Sequence, residues 1–288
     1  MIKLIASDMD GTLLNQQSRV SALNIATINQ AHAQGIKFAI ATGRTLDEAR
    51  PFVRKLNFQP DFITLNGALV YNQQFEPVVQ IPLRHLTLQH SIQILQKYNL
   101  YFELVTNAGL YSNSRQLRLQ NMIKHLQHLN PTLLYKKAFS QATARLPSLK
   151  IHYVPDYQQL LQTKNIKVFK IIAFNLQDSP DFTDAKQELA LDDQAIITSS
   201  GRNNLEINDR QAQKGLALKK LAQQLGFDLK EVMAIGDNLN DFSMIQTAGV
   251  GVAMGNALPE IKEIAQYQTA TNVQDGVAQA VHYARQLQ

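Results

Sequence analysis

Two aspartates stand two positions apart near the start of the chain, in the stretch Asp8-Met9-Asp10-Gly11-Thr12. The residues before them alternate and then run apolar, which predicts a buried strand that ends at Asp8. Carboxylates this close repel each other unless a cation or a proton intervenes. Oxygen ligands of this kind suit Mg²⁺, and a carboxylate can attack a phosphoryl group to form an acyl phosphate. The pair therefore indicates phosphoryl transfer, with one aspartate as the nucleophile and Asp10 as the carrier of the proton.

Three further polar groups suit the same chemistry. The stretch Thr42–Arg44 follows a second apolar run and offers a hydroxyl and backbone N–H groups to phosphoryl oxygens. Lys214 opens a predicted helix and can offset the repulsion between a carboxylate nucleophile and an anionic phosphate. Asp237 and Asp241 follow a late strand and make the acidic centre denser, which strengthens the prediction of a magnesium site.

Each of these groups has an ordinary structural explanation when it is taken alone. The first pair also fits a calcium-type loop or an Asx turn, and Thr42 fits a helix N-cap. Lys214 fits a surface lysine, and the stretch 236–241 fits a turn followed by an N-cap. The functional interpretation depends on their occurring together, each at the predicted end of a strand or the start of a helix.

Strands and helices alternate at both ends of the chain, which predicts right-handed crossovers and a parallel sheet. Ligands of such open sheets bind beyond the carboxyl ends of the strands, where the four polar groups lie. The predicted fold is therefore α/β, with a Rossmann-like parallel sheet. Its predicted strands are 2–7, 36–43, 61–67, 232–237 and 249–254, and its predicted helices are 21–33, 45–56, 214–226, 239–247, one after Pro259 and one from about Gln274.

The pattern changes between the two ends of the chain. Residues 68–82 read as a hairpin with its turn at 72–76, and beyond it the elements are mixed. We therefore expect a core from residues 1–83 and 209–288, with an α+β domain inserted at 84–208. The elements predicted in the insert are helices at 87–98 and 114–129 and strands at 100–106, 168–174, 195–200 and 203–208.

Charge and composition restrict the classes of function. The insert carries the whole net charge of +5, and residues 104–155 contain seven basic side chains and no acidic one. Such a surface attracts an anionic ligand, although a solvated helical face is the simpler explanation. We expect no nucleic-acid partner, because no nucleic-acid motif is present. We expect no membrane partner either, because no apolar run is long enough. The absence of a signal peptide favours a cytoplasmic enzyme or binding protein, and the absence of cysteine rules out cysteine-ligated metal sites.

The four groups of residues resemble the motifs of the haloacid dehalogenase-like superfamily. The insert is similar to the large cap of its Cof-type subfamily, as are the stretches 66–68, 205–207, 251–257 and 274–278. One departure is Gln213, where the family often has a small hydroxyl residue. The resemblance implies a catalytic pair, Asp8 and Asp10; metal ligands Asp8, Asp10 (through its carbonyl), Asp237 and Asp241; phosphate-binding groups Met9 (through its N–H), Thr42, Gly43, Lys214 and Asn240; and substrate contacts Arg44 and Asn66.

The resemblance predicts a Mg²⁺-dependent phosphatase of small phosphorylated metabolites, most simply sugar phosphates. The expected route passes through an aspartyl-phosphate, with the cap closing over the site. Three alternatives stay open from the sequence. One is a phosphomutase of the same superfamily, one is a receiver that accepts phosphate without turnover, and one is a metabolite sensor without catalysis. The sequence leaves the substrate and the oligomeric state open.

Overall fold

The computed structural model describes residues 1–177, 181–199 and 203–287. Internal contacts divide the chain into two compact units, one formed by residues 1–81 and 211–288 and the other by residues 82–210. These bounds differ by two residues at each crossing from the expected division at 84 and 208, which stays a prediction about domains.

Helices and strands alternate along the described chain. The first segment contains β1 (Leu4–Asp8), α1 (Ala22–Ala33), β2 (Lys37–Ala41), α2 (Leu46–Ala49), β3 (Asp61–Thr64), β4 (Leu69–Tyr71) and β5 (Pro77–Gln80). The middle segment contains α3 (His85–Lys97), β6 (Tyr101–Thr106), β7 (Gly109–Ser112), α4 (Arg115–Leu129), α5 (Tyr135–Arg145), β8 (Ile151–Tyr153), α6 (Tyr157–Leu161), β9 (Val168–Phe174), α7 (Thr183–Leu189), β10 (Ala195–Thr198) and β11 (Asn204–Asp209). The last segment contains α8 (Lys214–Gln224), β12 (Val232–Gly236), α9 (Phe242–Thr247), β13 (Val250–Ala253), α10 (Pro259–Ile264), β14 (Tyr267–Gln268) and α11 (Gly276–Gln286).

The described part of the first unit contains a sheet with the strand order β14-β13-β12-β1-β2-β3-β4-β5. Strands β14 to β3 are parallel, and β4 and β5 add the antiparallel hairpin expected at residues 68–82. Strand β1 is buried over its whole length, as a central strand covered on both faces must be. Asp8 pairs with Ala41 at the end of β2, so the loops after β1 and β2 leave the same edge of the sheet. The predicted α/β fold with a parallel core sheet is confirmed.

One helix of this unit is shorter than expected. Thr45 and Glu48 form the predicted capping box, but the α-helix ends at Ala49 instead of continuing to residue 56. A 3₁₀ turn over Arg50–Val53 follows it. Pro51 explains the change, because its ring carries no N–H with which to continue the α-helical hydrogen bonds.

The described part of the second unit contains a mixed sheet with the strand order β10-β11-β9-β6-β7-β8. Its pairs are antiparallel except for β7 with β8. One buried apolar cluster joins α3 to this sheet and includes Leu88, Ile92, Phe102, Leu104 and Ile171. The predicted strand at 195–200 ends at Thr198 in the structure, and Ser200 lies outside the described residues.

The sequence analysis missed α5 in the basic stretch of this unit. Its only fully buried side chains are Ala138 and Ala142, so the helix has little of the apolar spacing that predicts one. On the neighbouring α4, Arg118 donates from one nitrogen to both oxygens of the buried Glu103, at 3.0 and 2.9 Å. In the part of the chain that the structure describes, no helix combines the length and the hydropathy needed to cross a membrane.

Candidate active site

The loop after β1 turns sharply at Gly11, whose φ of +87° lies in the left-handed region. A Cβ at this position would lie 2.4 Å from Oδ2 of Asp237, so the loop needs glycine for space as well as for conformation. Asn256 donates from Nδ2 to the Gly11 carbonyl at 2.8 Å and braces the turn from the other end of the chain. These contacts hold the residues after β1 against the loop after β12.

Three aspartates meet at this edge of the sheet. Asp8, Asp237 and Asp241 each offer a carboxylate oxygen, and these oxygens all lie within 4.8 Å of one another. Lys214, at the start of α8, is 1% exposed and donates from Nζ to Oδ1 of Asp8 and Oδ1 of Asp241, each at 2.7 Å. One buried ammonium group therefore joins two carboxylates that are far apart in sequence, Asp8 206 positions before it and Asp241 27 positions after it.

The charges in this group shift one another's pKa values. Burial, followed by repulsion from Asp241, raises the pKa of Asp8 well above its ordinary value, and Lys214 opposes the rise. Burial and Asp241 likewise raise the pKa of Asp237 to about 6, against the hydrogen bond from Thr12. Burial alone would lower the pKa of Lys214, but Asp241 and Asp8 outweigh it and raise the pKa. The lysine is therefore a fixed cation, and the carboxylates carry more negative charge than it can balance.

Two of the three aspartates are held in place by further hydrogen bonds. Asp241 accepts on Oδ2 from the backbone N–H groups of Asp237 and Asn238, at 2.9 and 3.0 Å. Thr12 donates from its hydroxyl to Oδ1 of Asp237 at 2.7 Å. Both carboxylates therefore have a fixed orientation before any ligand binds.

A divalent cation fits this arrangement of side chains. Oδ2 of Asp8 is buried and has no hydrogen-bond partner among the described residues, a costly condition unless a ligand supplies one. The donor atoms are all oxygens, which is the set that hard cations such as Mg²⁺ prefer. The residues present thus form an acidic cluster that is compatible with a divalent metal ion.

The loop after β2 lies beside the turn after β3. Thr42 accepts on Oγ1 from the Arg44 N–H at 3.2 Å, and its carbonyl accepts from the Asn66 N–H at 3.0 Å. Asn66 has a φ of +58°, and its Oδ1 accepts from Nδ2 of Asn240 at 3.2 Å. A Cβ on Gly43 would lie 3.0 Å from the same Oδ1, so this glycine allows the two loops to approach closely.

Arg44 and Asp10 form an ion pair at the exposed margin of the group. Arg44 donates from Nε to Oδ2 of Asp10 at 2.7 Å and from an Nη atom to Oδ1 at 2.5 Å. The Asp10 side chain is 52% exposed, and its hydrogen bond to Arg44 raises the pKa of that guanidinium. The Asp10 side chain is therefore held at the margin by Arg44 and is not one of the three clustered carboxylates. Its predicted role as a metal ligand concerns its backbone carbonyl and stays a prediction.

The structure brings the residues singled out from the sequence to one edge of the first unit. Those that share contacts there are Asp8, Asp10, Thr42, Gly43, Arg44, Asn66, Lys214, Asp237, Asn240 and Asp241. Met9 lies between Asp8 and Asp10 in the chain, and its side chain is fully buried. Their functional roles stay predictions.

Sequence reasoning missed two residues that organise this edge. Thr12 fixes Asp237, and Asn256 braces Gly11. A signal existed for both, because Thr12 closes the first motif and Asn256 lies in the stretch 251–257 that carries part of the resemblance. The sequence did not indicate which residue each of these two side chains contacts.

Comparison with known proteins identifies the family. The haloacid dehalogenase-like hydrolase family matches residues 5–281. Phosphatase YwpJ of Bacillus subtilis is 32% identical over 280 residues, which are 96% of this chain and 98% of that protein. The 5-amino-6-(5-phospho-D-ribitylamino)uracil phosphatase YcsE of the same organism is 32% identical over 282 residues, 98% of this chain and 95% of that protein. A solved haloacid dehalogenase-like hydrolase from B. subtilis has a TM-score of 0.81 and 30% identity, and the match covers 98% of this chain and 99% of that one.

The chain therefore belongs to the haloacid dehalogenase-like hydrolases, and its recognition as a Cof-type member is confirmed. Within that family it is an enzyme of the phosphoric monoester hydrolase class. The receiver and the non-catalytic sensor, which the sequence left open, do not agree with this class.

Proposed function

We propose that this protein is a Mg²⁺-dependent phosphatase that hydrolyses small phosphorylated metabolites through an aspartyl-phosphate on Asp8. The observation that carries the proposal is the buried contact between Lys214 and Asp8, 2.7 Å long, beside a carboxylate oxygen that lacks a hydrogen-bond partner in the described chain. A carboxylate with one oxygen held by a fixed cation and the other unengaged is oriented for attack on phosphorus.

Asp8, Asp237 and Asp241 would hold the magnesium ion through their carboxylates, and Asp10 would hold it through its backbone carbonyl. When bound, the ion neutralises charge on the carboxylates and on the phosphoryl oxygens. Asp241 also has a role of its own, because its two oxygens already accept from Lys214 and from two backbone N–H groups. It fixes the ammonium group in a position where it can contact phosphate.

The reaction has two steps in this proposal. Asp8 attacks the phosphorus of a phosphomonoester in line, and Asp10 gives a proton to the departing alcohol oxygen. Water, which loses a proton to Asp10, then attacks the phosphorus, the bond to Asp8 breaks, and inorganic phosphate leaves. Lys214, Thr42, Asn240 and the backbone N–H groups of Met9 and Gly43 bind the phosphoryl oxygens, and catalysis is mainly positioning and charge neutralisation.

The family, rather than the geometry, supports the proposed substrate class. We propose a phosphorylated sugar or sugar alcohol, which agrees with the ribityl phosphate in the name of the relative YcsE. We also propose that residues 84–208 form the cap domain and that Asn66 faces the substrate. The basic excess of residues 104–155 supports an anionic substrate.

The experiment is a turnover assay on p-nitrophenyl phosphate and a panel of sugar phosphates, with Mg²⁺ and with EDTA. We expect phosphate release with Mg²⁺, none with EDTA, and none from Asp8→Asn with a retained fold. Release without metal, or substantial activity of Asp8→Asn, would contradict the proposal. Conversion of a sugar phosphate into its isomer without release of phosphate would instead identify a phosphomutase.

A further inference from the structure

The ion pair between Arg44 and Asp10 is too exposed to serve the stability of the fold. The two side chains are 31% and 52% exposed, and pairs of this kind contribute about 0–1 kcal/mol. The geometry is nevertheless the bidentate one, in which two N–H donors fix the plane of a carboxylate. A precise pairing with little effect on stability indicates a role in orientation.

Arg44 is itself held from several sides. Its N–H donates to Thr42, and its carbonyl accepts from the N–H of Leu65 at 3.0 Å. The Phe52 ring lies 4.8 Å from the guanidinium carbon and supports the flat face of the group. Leu65 has a φ of +51°, a strained conformation for a branched side chain that the surrounding contacts must maintain. Both the backbone and the head of the arginine are therefore fixed before it meets Asp10.

The neighbouring acid, Glu48, is not the hydrogen-bond partner of the arginine side chain. Glu48 lies in the same loop, but its Oε2 already accepts from the N–H and the hydroxyl of Thr45 at 2.9 Å. Arg44 thus pairs with the carboxylate 34 positions earlier in the chain. Glu48 therefore caps the start of α2 through Thr45, and the Arg44 guanidinium donates to Asp10.

We propose that Arg44 is a positioning residue that holds Asp10 for the second step of the reaction, the attack of water. This inference rests on the proposed function. Each oxygen of Asp10 keeps a lone pair besides the one that accepts from Arg44, and the arginine fixes the direction in which these lone pairs point. In the step concerned, the water oxygen bonds to phosphorus while its proton passes to Asp10. The bond between phosphorus and Asp8 breaks, and its electron pair returns to the Asp8 carboxylate.

Rapid-mixing kinetics with p-nitrophenyl phosphate and Mg²⁺ test the proposal, because nitrophenolate is a good leaving group that needs no proton. For Arg44→Ala we expect a burst of about one nitrophenolate per enzyme at nearly the wild-type rate. The steady state that follows should be slower than that of the wild type by about 10- to 100-fold. KM should fall together with kcat, so that kcat/KM, which reports the unchanged first step, stays near the wild-type value. Arg44→Lys should also show the burst, because lysine keeps the positive charge but lacks the paired N–H donors of the guanidinium. Phe52→Leu should show a weaker effect of the same kind.

Arg50→Ala is the matched control. The guanidinium of Arg50 also lies over a phenylalanine ring, with its central carbon 4.1 Å from the centre of the Phe75 ring. The hydrogen bonds to the Asp10 carboxylate come from Arg44 and not from Arg50. We expect it to behave as the wild type. A raised KM with unchanged kcat for Arg44→Ala would make Arg44 a substrate-binding residue instead. A burst that slows together with the steady state, or kinetics like those of Arg50→Ala, would also overturn the inference.

The same measurements separate this inference from the proposed function. If the wild type shows no turnover, or if Asp8→Asn turns over as the wild type does, the proposed function fails. If turnover depends on Asp8 and Arg44→Ala shows no separation of burst and steady state, only the positioning role fails.

Discussion

Asp237→Asn tests whether the buried Asp237 carboxylate destabilises the folded protein when no metal is bound. Burial, aided by Asp241, raises the pKa of Asp237 from its ordinary 3.8 to about 6 in the folded protein. Between pH 4 and pH 6 the folded protein therefore binds more protons than the unfolded chain, and its stability falls as the pH rises through this window. At 1.36 kcal/mol per pKa unit, the full cost above pH 6 is about 3 kcal/mol. The asparagine removes this cost and keeps an oxygen to accept from Thr12.

The assay is urea unfolding in EDTA at pH 4 and pH 8, with the free energy of unfolding compared between wild type and variant. We expect the two proteins to be about equally stable at pH 4 and the variant to be more stable by about 3 kcal/mol at pH 8. Excess Mg²⁺ at pH 8 should stabilise the wild type more than the variant, because a ligand that binds only the folded state stabilises it. Asp193→Asn, the same change at an exposed site, is the control and should leave both values nearly unchanged. A wild type that is more stable than Asp237→Asn at pH 8 in EDTA would show that the buried Asp237 carboxylate does not destabilise the metal-free protein.

Three further outcomes follow from the same geometry. Lys214→Met leaves Asp8 and Asp241 without their cation and should lower the free energy of unfolding by about 3–5 kcal/mol at pH 8 in urea unfolding; an unchanged stability would contradict it. Gly11→Ala forces a Cβ toward Asp237 and should reduce kcat strongly in the phosphatase assay, at a cost in stability of only about 1–2 kcal/mol; full activity would show that the loop can relax. EDTA should lower the melting temperature of the active protein less at pH 5 than at pH 8, because the raised pKa of Asp237 lets a proton replace the metal; an equal effect at both pH values would argue against a metal at this cluster.

The position of the site could be predicted from the sequence for a topological reason. Parallel strands end at one edge, so the polar residues after β1, β2 and β12 had to meet once the alternation of strands and helices was recognised. The residue types then indicated the chemistry, since crowded carboxylates repel each other unless a cation or a proton intervenes. The positions of Asp8, Asp237 and Asp241 follow from the topology, whereas Lys214 was predicted from its charge at the start of a helix, as the partner of an anionic phosphate.

The partners of individual side chains could not be predicted in the same way. The pairing of Arg44 with Asp10 depends on side-chain rotamers and on the competing use of Glu48 in a capping box. The left-handed conformations of Leu65 and Asn66 depend on contacts with the loop after β2 and have no marker such as glycine at either position. The alanine face of α5 was too weakly apolar to predict a helix.

A crystal structure with Mg²⁺ and beryllofluoride, a mimic of the phosphoryl group, tests the role of Asp8 most directly. We predict beryllofluoride bonded to the Asp8 carboxylate, with Lys214 and Thr42 in hydrogen-bond contact and the metal held by Asp8 and Asp237. Beryllofluoride absent from Asp8 under saturating conditions, or bonded to another carboxylate, would contradict the claim that Asp8 is the nucleophile.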